Sequence, residues 1–171
     1  MNKVEADIRL FEKLDIPEIA EAFEELNWNK PASQYERYLM EQALKIRDMY
    51  VARVRGKFAG YLTICWQSTY GPFRQKKIPE IMDFNVLPQF RRLGVGTQLM
   101  DKAEAEIARV SPVAGIGVGM TPDYGAAQRL YVLRGYIPDG NGLHYRGHPI
   151  QYGETLKVDD NLALYLTKEV S

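Results

Sequence analysis

The apolar positions of this chain follow two periods, and the places where one gives way to the other mark out its elements. Residues 4 to 11 alternate and predict a strand. The next run spaces Ile16, Ile19, Ala20 and Phe23 three and four apart, which predicts a short amphipathic helix, with Asp15 as N-cap and Glu18 as its reciprocal partner. NWNKPA, residues 27 to 32, interrupts that period. Ser33 and Glu36 have the spacing of a second capping box, and Leu39, Ala43 and Ile46 mark the inner face of the helix it would open. From residue 49 the period drops to two, and MYVARVR and FAGYLTICW, joined by a tight turn at Arg55, Gly56 and Lys57, predict an antiparallel hairpin.

STYGPFRQKK is irregular, after which residues 79 to 86 predict another strand. Residues 93 to 109 predict a helix whose Val95, Leu99, Ala103 and Ile107 recur every four positions, the stripe of a helix lying along a sheet. VAGIGVG, 113 to 119, reads as a strand with Gly115, Gly117 and Gly119 on one face, so another group can approach its backbone closely. Thr121 and Pro122 predict an N-cap and a first helical residue, the helix continues through GAAQRLYVLR, and Gly135 supplies a left-handed end. Strands at 143 to 148 and 161 to 167 finish the chain. This succession predicts an α/β fold, a mixed β-sheet flanked by helices, in a single domain over residues 1 to 171.

Charge changes the picture by exclusion. Lys plus Arg and Asp plus Glu are 22 each, so the net charge is zero and no general nucleic-acid footprint is expected. A single cysteine, Cys65, forms no internal disulfide and suits a reducing compartment; with charges where a signal peptide needs its apolar core and no long apolar segment, a cytoplasmic protein without membrane insertion is expected.

The candidate chemistry begins in IPEIMDFNVLPQFRRLGVGTQLM, residues 78 to 100. A strand, a turn holding RRLGVG and an immediate helix turn backbone N–H groups outward at a positive helix end, an anion cradle to which Arg91 and Arg92 add charge. The lysine and hydroxyl of a nucleotide P-loop are missing, and so is the dinucleotide GxGxxG spacing. The same segment resembles motif A of the GNAT family of N-acetyltransferases, [RQ]-x-x-G-x-[GA] after a strand, with Arg91, Gly94 and Gly96 in its places. The family's second motif, near N-x-x-A-x-x-L-Y-x-x-x-G-[FY], is matched by Ala127, Leu130, Tyr131, Gly135 and Tyr136, while its asparagine is Tyr124 here.

That resemblance implies an acyl-CoA N-acyltransferase fold and acetyl-CoA as acyl donor. It implies that pyrophosphate lies against backbone from Arg91 through Arg92, Leu93, Gly94, Val95 and Gly96 to Thr97, with Asn85, Val86 and Leu87 along the pantetheine arm and Tyr124 and Ala127 adding contacts. Acetyl transfer to an amine needs a proton acceptor, a polarised carbonyl and a proton for the leaving thiolate. For the acceptor the family's usage favours Glu80, with Asp83 or a water chain as alternatives; three positions apart, the two carboxylates face opposite sides of a regular strand. Tyr131 holds the position implied for the acid, and a backbone N–H near Val86 or Leu87 polarises the carbonyl.

On the acceptor side the resemblance points to Trp28, Tyr35, Tyr38 and Glu24 or Glu25 as a cleft wall able to hold a cation. Cys65 reads as a small buried hydrophobe, and His144 and His148 as ordinary histidines without a metal pattern. The expected activity is acetyl transfer by direct attack in a ternary complex, to a small-molecule amine in preference to a protein. A noncatalytic acyl-CoA sensor and a protein N-terminal or lysine acetyltransferase are the alternatives, and a homodimer could form through an exposed edge of LALYLTKEV.

Overall fold

The computed structural model describes residues 3 to 171. It has eight strands and five α-helices among the described residues: β1 (Asp7–Leu10), α1 (Ile16–Glu25), α2 (Ala32–Ala43), β2 (Arg47–Val54), β3 (Lys57–Cys65), α3 (Gly71–Lys76), β4 (Glu80–Val86), α4 (Val95–Ala108), β5 (Val113–Gly119), α5 (Gly125–Leu133), β6 (Ile137–Tyr145), β7 (His148–Pro149) and β8 (Leu162–Glu169). The pattern is the mixed sheet with flanking helices that the sequence predicts. The chain forms two compact units, one from the residues up to Trp66 with Met82–Glu106, the other from Gln67–Ile81 with Ile107–Ser171.

In the first unit the strand order is β1-β2-β3-β4. The β2–β3 hairpin turns at Arg55 and Gly56, both at positive φ (51° and 78°), as the sequence requires of so short a turn. Its core packs Ile16, Ile19 and Phe23 of α1 and Tyr35 and Tyr38 of α2 against Met49, Val51, Phe58 and Tyr61. Burying each such side chain is worth about 1.5–3 kcal/mol. The stripe expected on α4 holds fully: Val95, Leu99, Ala103 and Ile107 are each 0% exposed.

The three helix-start predictions need correction. Thr121 and Pro122 open a 3-10 turn through Tyr124, with α5 beginning only at Gly125. Asp15 stands at the N-cap of α1 as expected but makes no side-chain bond there. Its carboxylate instead accepts Arg9 at 2.6 and 2.8 Å, Arg53 at 2.9 Å and the Glu12 N–H at 2.9 Å, the last closing a capping box on the 3-10 turn that precedes α1. Glu18 takes Arg53 and the Phe58 N–H, which ties α1 to the hairpin. For α2 the cap is Pro31, one residue before the first helical position, so Ser33 lies inside the helix. The inner face of α2 is Tyr35 and Tyr38, with Leu39, as expected, partly buried against the same core; Ala43 is the last helical residue and exposed, and Ile46 lies beyond the helix.

In the second unit β4 contributes Glu80 and Ile81, which pair in parallel with Gly115 and Ile116 of β5, and the order continues β5-β8-β6-β7. β8 lies between β5 and β6 and pairs with both, so LALYLTKEV offers no exposed edge to a second copy. The strand expected at 143 to 148 is β6, which begins earlier, at Ile137, and carries a register shift between Pro138 and Leu143. STYGPFRQKK is only partly irregular, since Gly71–Lys76 forms α3 and closes at Lys77 in a left-handed cap. Gly135, at φ 90°, ends α5 as predicted.

Candidate active site

The cradle of the first unit is built at the exit of β4. Residues 88 to 90 make one 3-10 turn, Arg92 and Gly94 take positive φ (61° and 87°), and α4 starts at Val95. Glycine is the residue that adopts the Gly94 conformation without strain. The Gln98 N–H donates to Gly94 O at 3.1 Å. By helix geometry the N–H groups of Val95, Gly96 and Thr97 before it have no intrahelical acceptor, and they face outward at the positive end of a 14-residue helix. A Cβ at Gly96 would press on Phe84 at 3.1 Å, so its absence lets the first turn of α4 sit on β4. The arrangement fits an anionic pyrophosphate.

The other expected cofactor residues divide. Arg91 turns back onto its own unit: its Nε donates to Val86 O at 3.1 Å and its guanidinium stands 5.8 Å from the Trp28 ring. Arg92 is exposed. The Leu93 carbonyl accepts the Val4 N–H. The Leu87 side chain is 3% exposed and its N–H is already donated to Ala59 O at 2.9 Å, which removes that amide from the donors available to a thioester carbonyl. Beside it, a Cβ at Gly60 would collide with the Asn85 carbonyl oxygen, so β3 is kept bare where β4 presses on it.

Asp83 breaks the regularity of β4, with φ 47°. Its carboxylate accepts Lys30 Nζ at 2.6 Å, Gln34 Nε2 at 2.9 Å, the hydroxyls of Tyr38 at 3.0 Å and Tyr61 at 2.5 Å, and Asn85 Nδ2 at 2.8 Å. Burial pushes this carboxyl up, but the Lys30 charge and the hydrogen bonds from Lys30, Tyr61 and Tyr38 outweigh it, and it sits below its ordinary value. Tyr61 moves upward, first through burial and then through the Asp83 charge. A carboxylate so fully supplied with donors is a poor proton acceptor.

The aromatic wall expected of α1 and α2 is therefore directed inward. Tyr35 and Tyr38 are core residues at 0% and 6% exposure, and Trp28 stacks on Phe23 with centroids 5.6 Å apart. The cations on these aromatic faces are the chain's own: Lys30 stands 5.7 Å from the centroids of Phe23 and of Tyr61, and Arg37 and Arg47 stand 5.4 and 4.7 Å from that of Tyr38. Glu24 and Glu25 are exposed at the end of α1.

In the second unit Glu80 is 4% exposed and accepts the Ser68 hydroxyl at 2.5 Å. Glu80 pairs with Gly115, so its side chain shares a face of the sheet with the bare strip of β5. Three rings cover that strip: Cβ atoms at Gly115 and Gly119 would collide with Phe73 and Tyr124, and one at Gly117 would meet Tyr165 at 3.0 Å. The close approach foreseen from the glycines is made by the protein's own aromatics. Tyr124, in the place of the motif's asparagine, packs its ring over Gly119 and donates its hydroxyl to Asp160 at 3.2 Å. Tyr165 is raised to about 12 by burial, then by the charges of Glu80 and Asp139.

Tyr131 is 5% exposed and tilted against Tyr136, with ring centroids 6.1 Å apart. Burial, then the neighbouring Tyr124, raises its phenol, so it holds its proton more tightly than a free tyrosine does. Ala127 is half-buried on α5. Cys65 is buried, as expected; His144 is a core residue packed edge-on to Tyr70 at 4.9 Å, and His148 is exposed. Among the described residues no group of three His, Cys, Asp or Glu side chains could hold a metal ion, and no helix is long and apolar enough to cross a membrane.

Sequence reasoning missed Ser68, Lys30 and Tyr165. Their partners lie 12, 53 and 48 positions away in the chain, so no local period announces them.

Residues 15–136 match the acetyltransferase (GNAT) family. The chain belongs to that family. An uncharacterized N-acetyltransferase of Archaeoglobus fulgidus is 39% identical over 82 residues, 47% of this chain and 54% of the relative, so this match spans about half the length of that curated protein. Among solved structures, yncA of Salmonella typhimurium with its cofactor acetyl-CoA superposes at a TM-score of 0.68 and 18% identity, over 97% of this chain and 94% of that one. The ribosomal-protein-S18-alanine N-acetyltransferase of Escherichia coli gives 0.69 and 15%, over 98% and 95%. At such identities these likenesses establish the GNAT fold.

Proposed function

We propose that the protein transfers the acetyl group of acetyl-CoA to the primary amine of a small molecule, by direct attack in a ternary complex. The amine nitrogen bonds to the thioester carbonyl carbon and the carbon–sulfur bond breaks. Glu80 takes a proton from nitrogen, directly or through water, and Tyr131 gives one to the departing sulfur. The amides from Val95 to Thr97 hold the pyrophosphate of the donor, and the Val86 N–H is the candidate to polarise the carbonyl.

The observation that carries this reading is the division of labour on β4. Asp83 is neutralised by Lys30 and four further donors, whereas Glu80 is a buried carboxylate on the face of the β5 glycine strip. A base gives up hydrogen-bonded partners when it accepts a proton, and Asp83 would also give up the ion pair with Lys30. The zero net charge supports a small acceptor over a protein selected by long-range charge.

Calorimetric titration with acetyl-CoA, followed by thiol release across polyamines, aminoglycosides, aromatic amines and short peptides with free N-termini, tests the proposal. Saturable binding with release driven by a small amine is the expected result. Release with peptides alone moves the acceptor to a protein N-terminus or lysine, and binding with no release from any amine overturns the enzyme reading in favour of an acyl-CoA sensor.

A further inference from the structure

Ser68 lies in the STYGPFRQKK segment and has no part in the chemistry derived so far. It is 1% exposed, and both of its hydrogen-bonding capacities are committed within one unit. Its Oγ accepts the Tyr70 N–H at 3.0 Å and donates to Glu80 Oε2 at 2.5 Å. The direction of the second bond follows from the first: with Oγ accepting the Tyr70 N–H, its one hydrogen is given to the carboxyl oxygen.

The neighbours make this contact directional. Tyr70 stacks on Tyr165 with centroids 3.6 Å apart and 4° between planes. Tyr165 covers Gly117, and Glu80 Oε1 lies 3.6 Å from where a Cβ at Gly117 would stand. One carboxylate oxygen is thus held by Ser68, while the other lies beside Gly117 of β5, next to the Tyr165 ring.

We propose that Ser68 is a positioning residue for Glu80, holding its carboxylate in the charged form and fixing which oxygen it turns toward the glycine strip. The proposal rests on the reading of Glu80 as the base. A hydrogen bond given to the charged form favours that form, and a fixed rotamer spares the reaction the cost of orienting the base. Ser68 thereby gives up some basicity in Glu80 and gains a carboxylate that is ionised and aimed before the amine arrives.

The test is a carbon-detected NMR pH titration of the full chain labelled with carboxyl-13C glutamate, in which the Glu80 resonance is assigned by its loss in Glu80→Gln. In Ser68→Ala that resonance titrates at higher pH, with proton binding about tenfold tighter, the worth of one hydrogen bond to a charged acceptor. Ser68→Thr, which keeps the hydroxyl, follows the wild type. Should Ser68→Ala fail to fold, Ser68→Cys keeps the shape with a weak donor and shifts the same way. An unchanged Glu80 titration in a folded Ser68→Ala or Ser68→Cys protein overturns the proposal. Thiol release with the amine panel separates the two ideas: undiminished release in Glu80→Gln overturns Glu80 as the base, whereas a shifted titration in the Ser68 variants still supports the Ser68–Glu80 coupling.

Discussion

Glu80 and Asp83 stand three residues apart on one strand and were the two candidates for a single task, yet their surroundings differ in kind. Asp83 sits at a positive-φ residue inside a net of Lys30, Gln34, Tyr38, Tyr61 and Asn85. Glu80 lies in regular register opposite Gly115, within reach of a serine from a short loop and an aromatic layer over a glycine strand. The first carboxylate ties α2 and Lys30, in the loop before it, to their sheet; the second, the proposed base, is held by Ser68 on the face of the β5 glycines. Residue type alone does not separate a structural acid from a chemical one. What sets Asp83 apart is the Lys30 charge among its donors.

Exchanging the two roles by mutation is the direct way to break this contrast. Glu80→Gln keeps shape and removes the proton acceptor, and a loss of amine-dependent turnover of about 10²–10⁴-fold with an unchanged melting temperature is expected from thiol-release kinetics and calorimetry. Asp83→Ala should do the opposite: about 3 kcal/mol of unfolding free energy is lost in denaturant titration, because Lys30 is left as a largely buried, unpaired charge, its side chain 18% exposed. Tyr131→Phe removes one hydroxyl without disturbing packing, and a fall in turnover of about tenfold or more, with acetyl-CoA affinity retained, is expected.

Acid sharpens the same comparison. Asp83 and Asp15 are both held below their ordinary values in the folded chain, Asp83 by Lys30, Tyr61 and Tyr38, and Asp15 by Arg9 and Arg53, in each case against the upward push of burial. Their contribution to stability is complete above the unfolded carboxylate value of about 3.9 and is lost as pH falls through the lower folded values. The denaturant midpoint should therefore drop below about pH 4, and Asp83→Asn should flatten part of that drop. Least of all, Gly94→Ala is expected to cost about 1 kcal/mol of stability from its φ of 87° and to weaken acetyl-CoA binding measured by calorimetry.

What the sequence made legible was whatever repeats locally. The four-residue stripe of α4, the alternating glycines of β5, the turn at Arg55 and Gly56 and the paired motifs around Gly94 and Tyr131 all appear where they were read. Elements set by distant partners were not legible. Asp15 has the residue type and spacing of an N-cap, but Arg9 and Arg53 reach it first. Tyr35 and Tyr38 look like surface aromatics until Asp83 draws the Tyr38 hydroxyl inward and Tyr35 packs on Tyr61. α3 has only six residues, too few for a helical period to declare itself. The candidate residues were legible by type, while the partners that set Asp83 and Glu80 in different surroundings, Lys30 and Ser68, follow no spacing rule.

The lone thiol, Cys65, is 4% exposed at the end of β3. A colorimetric reagent that counts sulfhydryl groups will thus see liberated coenzyme and pass over the native polypeptide, so the assay carries its own blank. The same reagent becomes a clock for opening: any slow growth of colour in the absence of substrate times the moments at which β3 lets its last residue out.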